Sequence, residues 1–387
     1  MKTARMLLIM VLVLVGLGTV ARSQTSIHVY GADDPAIDVQ AVQDAVDTYD
    51  IVYLHGTFDF ENSQVYITHS VEIIGEGTDV HGEYLTKIEG GGLGALSSAS
   101  SDNPDVEWTV RDIEFNGARR AILTTYSKRF EVTGCRISVS SNGWANGICM
   151  NGPGGVWGTH VTGSVSIKDN YIDLSCAGKG GIGIMAQMIY ADIEVVGNTV
   201  ENSSTSGLWI NSAGNIEITD NTINAGPAQP TSYRNGILVG SWFLGGDKGD
   251  IEVTDNTITT GGHGWDNGIV VEDGQQELRD VCKVEDNTIT YVDGSLIGSG
   301  ILLLNHTSNW TFEDNTIDGG GHDYLTGILV DSECDLNWFF ENKIKDITGE
   351  GIILKGDYNI VGENKFDNIG GQNIVDEGIG NVIEDND

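Results

Sequence analysis

The chain has 387 residues, with 56 acidic side chains against 20 basic ones and a formal charge of −36 at neutral pH. A surface this acidic repels nucleic acid and anionic lipid, so neither is expected as a partner. Fifty-three glycines against five prolines suit a chain of short strands and tight turns. The length suits a stack that grows by adding coils rather than by enlarging one core.

Residues 1–23 read as a signal peptide. Lys2 and Arg5 precede an apolar run from Met6 to Val20, followed by the small-x-small site Ala21-Arg22-Ser23. The run is too short for a comfortable membrane span, and nothing later in the sequence resembles one. Export, no membrane insertion and a monomer are expected. Five cysteines (Cys135, Cys149, Cys176, Cys282 and Cys334) match no zinc spacing and leave any disulfide pairing open.

The next segment, 24–100, is expected to hold an N-terminal cap and the first coils. In DVQAVQDAVDTYD the apolar residues Val39, Val42, Ala45 and Val46 follow helical spacing. Two strand-like runs follow, IVYLHGTFDF and VYITHSVEIIGEG. A helix here would close the open end of a first coil and cover an exposed sheet edge.

From 101 to 387 the chain repeats. Alternating strand residues lead into Asp-Asn-Thr-Ile or a relative, with the Asn at 170, 198, 221, 256, 287, 315, 342, 364 and 386. The gaps are 28, 23, 35, 31, 28, 27, 22 and 22 residues, so 22 residues make a bare coil and longer gaps hold inserted loops. A second phrase, Gly-Ile-x-apolar, begins at Gly147, Gly181, Gly207, Gly236, Gly268, Gly300, Gly327 and Gly351. Three short strands per coil follow: one before the Asn, one after it and one at Gly-Ile. The stacked Asn is expected to satisfy backbone groups at a bend and to tolerate left-handed backbone there. Cys135 takes the Asn place in TGCRI and is expected to be a buried, stacked thiol. Asp376, Glu377, Glu384, Asp385 and Asp387 crowd the last phrase. They read as charge guards against end-to-end strand addition, unless the sequence is truncated.

The residues YGADDPAIDVQAVQDAV, VYLHGTF and VEIIGEG resemble the amino-terminal cap of the pectate-lyase-like superfamily of right-handed parallel β-helices. The DNTI phrases resemble that superfamily's repeat, shared by its NosD-like members. The resemblance implies an all-β solenoid with an N-terminal capping helix, and it covers nearly all of the mature chain. Its implication for activity is broad: a polysaccharide lyase, a glycoside hydrolase or a non-catalytic relative.

Loops inserted on both sides of the Gly-Ile strand would wall a groove on that sheet. In pectate lyases the substrate cleft lies in the same region. If Ile points inward, the outward row is Cys149, Trp209, Leu238, Val270, Leu302, Leu329 and Ile353. Two residues on, the row is Asn151, Asn211, Gly240, Glu272, Leu304, Asp331 and Lys355. A calcium-dependent lyase would want clustered carboxylates and a basic proton acceptor there, and only Glu272, Asp331 and Lys355 answer.

GGHGWDNGIVVE and GGHDYLTGILVD align without gaps and pair His263 with His322, Trp265 with Tyr324 and Glu272 with Asp331. Either a duplicated unit packs its loops this way, or the pairs bind sugar, or the two carboxylates act together. Trp144, Tyr233, Trp265 and Tyr324 each precede the strand Gly by three residues, an aromatic ledge that would stack sugar rings or simply cover the apolar floor. Gly262-His263-Gly264 resembles a polygalacturonase motif, but the paired Asp and the Arg-Ile-Lys that accompany it there are missing. Copper, implied by NosD-like relatives, lacks a convergent His, Met or Cys set. The expectation is an exported β-helix that binds carbohydrate or another extracellular surface, with a lyase or glycosidase as the alternative and calcium as the candidate ion.

Overall fold

The computed structural model describes residues 24–98, 105–141, 145–151, 160–177, 180–226, 234–240, 249–260, 264–273, 281–292, 296–321 and 325–387. These residues form one helix and 36 strands, and every pairing between strands is parallel. The coil around residue 258 sets the pattern. Ile251–Thr254 lies on a first face, Thr257–Thr260 on a second and Gly264–Glu272 on a third. Cys282–Glu285 then returns to the first face, with Cys282 opposite Ile251 and Val284 opposite Val253. The chain is an all-β parallel solenoid of three-sided coils.

Register stacks like on like inside the tube. On the second face Ile172, Val200, Ile223, Ile258, Ile289, Ile317 and Ile344 stand one above the next, each essentially inaccessible. On the third face the stack is Ile148, Ile184, Leu208, Ile237, Ile269, Ile301, Ile328 and Ile352. Each such burial is worth roughly 1.5–3 kcal/mol before chain entropy is counted. The first face admits aromatics: Phe312 and Phe339 stack at 5.0 Å, 13° from parallel.

The repeat Asn forms a continuous buried ladder between the first and second faces. At Asn256, Oδ1 accepts from the Asn221 backbone N–H at 3.0 Å and from Asn221 Nδ2 at 3.0 Å. Its own Nδ2 donates to Ile218 O, Thr254 O and Asn287 Oδ1, each at 2.9 Å. The Asn256 side chain is thereby paired within its own coil and with the coils above and below. Cys135 starts the ladder as the sequence implied: it is fully buried, and its N–H donates to Asn170 Oδ1 at 2.9 Å. Burial pushes its thiol up to about 12.

One expectation about this bend is corrected. The left-handed residue is not the Asn but the one before it: Asp169, Asp220, Asp255, Asp286, Asp314, Glu341, Glu363 and Asp385 have φ between 52° and 57°. Gly134 and Gly197 take the same place at 63° and 66°. Asp, Asn and Gly tolerate that region best, which explains why the phrase so often reads Asp-Asn.

The Gly of Gly-Ile has a separate cause. A Cβ on Gly268 would lie 2.5 Å from Ile289 Cγ2 and 2.6 Å from Gly300 O. The same clash recurs at Gly147, Gly207, Gly236, Gly300 and Gly327, and at Gly183, which register rather than the sequence reading of Gly181 identifies as the repeat glycine of its coil. The backbone turns its Cα into the tube at this corner, so only hydrogen fits there. The following Ile also points inward.

The two ends differ. Helix α1, Pro35–Val46, starts at Asp34, whose side chain accepts from Ala36 N–H at 3.0 Å. It covers the first coil with Val42, Ala45 and Val46, the positions its spacing predicts. Buried Asp38 ties it down by accepting from the N–H groups of Ala32, Asp34 and Asp59. At the other end Ile383 is 42 % exposed and Phe366 and Ile374 are only partly buried.

Candidate functional site

The third face is where the two outward rows expected from the sequence can be located. Register places Leu123, Cys149, Met185, Trp209, Leu238, Val270, Leu302, Leu329 and Ile353 in one line. Leu123, Cys149, Ile182, Met185 and Trp209 form an apolar cluster of their own, separate from the core inside the tube. Trp209 is half-buried in it.

On one flank, Glu272 stands opposite Gly240 and Leu304. Its carboxyl is half-buried, and burial pushes it above the usual carboxylate range. Among the described residues no hydrogen bond or ion pair holds it. Asp331 follows Val330 on the strand two coils on and accepts from Ser332 N–H at 2.8 Å. Two strand spacings separate the pair by roughly 10 Å. Trp265 lies in the strand Gly264–Glu272, opposite Ile297, and its side chain is not among the described groups. Trp144, Tyr233, His263, His322 and Tyr324 lie outside the described residues, as do most of the inserted loops. Of the predicted site residues, three side chains can therefore be placed: Trp209, Glu272 and Asp331.

The other flank carries residues the sequence reading passed over. The position just before the repeat Gly is Asn146, Ser206, Asn235, Asn267, Ser299 or Thr326, with Ile182 between the first two. Asn146, Ser206, Asn267 and Ser299 are at least nine-tenths buried, and at the Asn146 and Ile182 positions the row borders the outer apolar cluster. The C-terminal half of this row satisfies itself: Asn267 Nδ2 donates to Asn235 Oδ1, and Asn267 Oδ1 accepts from Ser299 N–H, both at 3.1 Å. The N-terminal half does not. Asn146 Oδ1, Ser206 Oγ and Arg120 Nε are buried without a partner. The recurrence of a small polar residue before Gly was the signal available in the sequence.

The first face has a different outer surface and a cleft of about 890 Å³ lined by Glu131, Ser166, Lys168, Glu194, Glu217 and Glu252 among others. Glu194, Glu217 and Glu252 stand directly in register. Lys168 contacts Glu194 at one end of this run, and Lys283 contacts Glu252 at the other. Among the described residues no group of three or more His, Cys, Asp or Glu side chains converges as a metal site would require, so neither a calcium nor a copper centre can be assembled from them. Cys135, Cys149 and Cys334 are buried free thiols. No helix among the described residues is long and apolar enough to cross a membrane.

Comparison with known proteins points to the scaffold. The family model described as a right-handed β-helix region matches residues 86–317. No curated protein matches the chain. Among solved structures, the A-module of Azotobacter vinelandii mannuronan C-5 epimerase AlgE4 is 15 % identical, with 89 % of this chain and 93 % of that one covered and a TM-score of 0.46. The Agl-KA catalytic domain is 12 % identical, with 94 % and 69 % covered and a TM-score of 0.47. The Streptococcus pneumoniae surface adhesin PfbA is 13 % identical, with 89 % and 91 % covered and a TM-score of 0.43. Likeness at this level concerns the fold alone.

Proposed function

The chain belongs to the right-handed β-helix family, and from that premise we propose that it is an exported, non-catalytic protein that binds glycan along the outer side of the third face. A β-helix leaves activity to what decorates it, so the reading rests on the decoration. The observation that carries it is the outward apolar row containing Trp209, bordered on one side by Asn146, Ser206, Asn235, Asn267 and Ser299. Sugars present both apolar CH faces and hydroxyls, and such a strip matches both at once. The leader-like residues 1–23 support export.

Screening the mature protein against neutral and acidic polysaccharides tests this reading. Binding without turnover, weakened about tenfold in Trp209→Ala with the fold intact, is the expected result. Absence of any glycan binding would refute it.

A second reading is favoured by one observation, the desolvated carboxyl of Glu272 in line with Asp331. A carboxyl raised by burial with a second carboxyl on the same flank is the kind of pair a glycosidase acid and base require. Their roughly 10 Å separation exceeds the span usual for an inverting pair, which makes this the weaker reading. Turnover abolished by Glu272→Gln and by Asp331→Asn would establish it.

A further inference from the structure

From the unpartnered polar atoms on the third face, we infer that its N-terminal half is the primary recognition subsite and that it takes uncharged sugar residues rather than uronates. The inference rests on the glycan-binding reading and specifies where the site is and what it selects.

The argument begins with cost. A buried polar atom without a partner is expensive, and native proteins keep few of them. Here three belong to one line of the third face: Arg120 Nε, Asn146 Oδ1 and Ser206 Oγ. Arg120 stands opposite Asn146, Asn146 opposite Ile182 and Ile182 opposite Ser206, so the line spans three strand spacings, roughly 14 Å. Asn146 is 3 % exposed and Ser206 1 %.

They border the separate apolar cluster. Ile182 belongs to it, and Asn146 Nδ2 reaches Met185 Sδ at 3.8 Å, which places the amide on the cluster's side of the sheet. Further along this row Asn235, Asn267 and Ser299 bond to one another, and the unpartnered atom near them, Thr260 Oγ1, belongs to the neighbouring second-face strand. The same row is closed in one half and open in the other.

The open set is mixed in polarity. Arg120 Nε can only donate, Asn146 Oδ1 can only accept, and Ser206 Oγ can do either. A row of hydroxyls supplies both senses, while the adjoining half-buried Leu123 and Trp209 receive the CH face. A carboxylate would satisfy Arg120, but it cannot donate to Asn146 Oδ1 and it would approach a protein of formal charge −36. The line's length fits an oligosaccharide rather than a single ring.

The test compares wild type, Ser206→Ala, Asn146→Leu and Trp209→Ala of the mature protein. Each is titrated calorimetrically with neutral gluco-, manno- and xylo-oligosaccharides and with galacturonate and mannuronate oligomers. Thermal midpoints are recorded alongside. A neutral oligosaccharide should bind, and Ser206→Ala and Asn146→Leu should each weaken it about tenfold. Both should hold or raise the thermal midpoint, because each removes an unpaired buried atom. A midpoint that falls in both variants overturns the proposal, since the groups would then be structural. So does binding unchanged in both, or uronate bound as tightly as its neutral counterpart. Neutral binding lost only in Trp209→Ala removes this subsite and keeps the glycan reading. Binding of no oligosaccharide removes both.

Discussion

The first and third faces of this solenoid share one interior and have opposite exteriors. Inward, both present stacked Ile and Val at the same spacing. Outward, the first face carries Glu131, Glu194, Glu217 and Glu252 with Lys168 and Lys283 closing the run, while the third carries Leu123, Met185, Trp209 and Leu238. The first face is charged and wet. The third has already lost much of its water. The inner side chains decide that a coil forms, and they do so identically on every face. What a face can bind is decided by residues one position away that the coil itself does not need.

The sharpest way to break this comparison is to damage the shared interior, which should harm both faces equally. Asn256→Ala removes the acceptor of the Asn221 N–H and the donors to Ile218 O and Thr254 O. Thr254 O keeps the Asp220 N–H, so two buried groups, Asn221 N–H and Ile218 O, lose their Asn256 partner; at about 1–3 kcal/mol each, the expected loss is about 4 kcal/mol. Urea denaturation should show it as a lower midpoint with an unchanged slope. A loss below about 1 kcal/mol would mean that the ladder adds order without stability.

Gly268→Ala should come next. Its Cβ meets Ile289 Cγ2 at 2.5 Å and Gly300 O at 2.6 Å, an overpacking expected to cost about 2 kcal/mol. Adding Ile289→Val should recover only part of the loss, because the carbonyl remains. Full recovery in the double variant would show that the backbone can yield at this corner. It would also mean that the placement of Asn267, the residue just before Gly268, is not fixed by the tube.

How much could be read beforehand follows from these particulars. The Asn ladder was legible because one residue in register with its own copies must repeat at the coil length. The left-handed Asp before it was visible as a letter but not as a conformation, since a sequence does not say which of two adjacent polar residues bends. A second ladder, in which Asn337 accepts from Trp310 N–H, Asn359 from Asn337 N–H and Asn381 from Asn359 N–H, occupies only the last coils and was too short to stand out. The cause of the invariant Gly was hidden altogether, because its clash is with a strand of another face. At the site, alternation gives seven members of the apolar row but misses Leu123 and Met185, the latter because GIGIM offers two glycines and register uses Gly183 rather than Gly181. The buried polar row was not legible, because Asn or Ser before Gly reads as ordinary turn chemistry.

A smaller change tests whether the charged exterior is a burden or a support. Glu217 stands between Glu194 and Glu252, and like charges directly opposite one another on a sheet are unfavourable. Glu217→Gln should raise stability by roughly 0.5 kcal/mol at low ionic strength, and added salt should shrink the gain. No change at low salt would mean that Lys168 and Lys283 already neutralise the run.

The smallest expected effect concerns the left-handed acidic residues outside the ladder. Asp286 lies between Asp255 and Asp314, and its carboxyl is raised above 3.8, first by burial and then by Asp314, Asp255 and Glu285. A carboxyl raised in the folded state binds its proton more readily there than in the unfolded chain. Its ionised form therefore costs stability at neutral pH. The cost is relieved as pH falls through the folded value and is gone below the unfolded one. Asp286→Asn keeps a residue that tolerates φ of 57° and removes the charge. Because the side chain is largely in solvent, screening limits the gain at neutral pH to about 0.3 kcal/mol. The gain should vanish below pH 3.8, where wild type and variant carry the same charge at this position. A gain that persisted in acid would place the benefit in the backbone bend rather than in the charge.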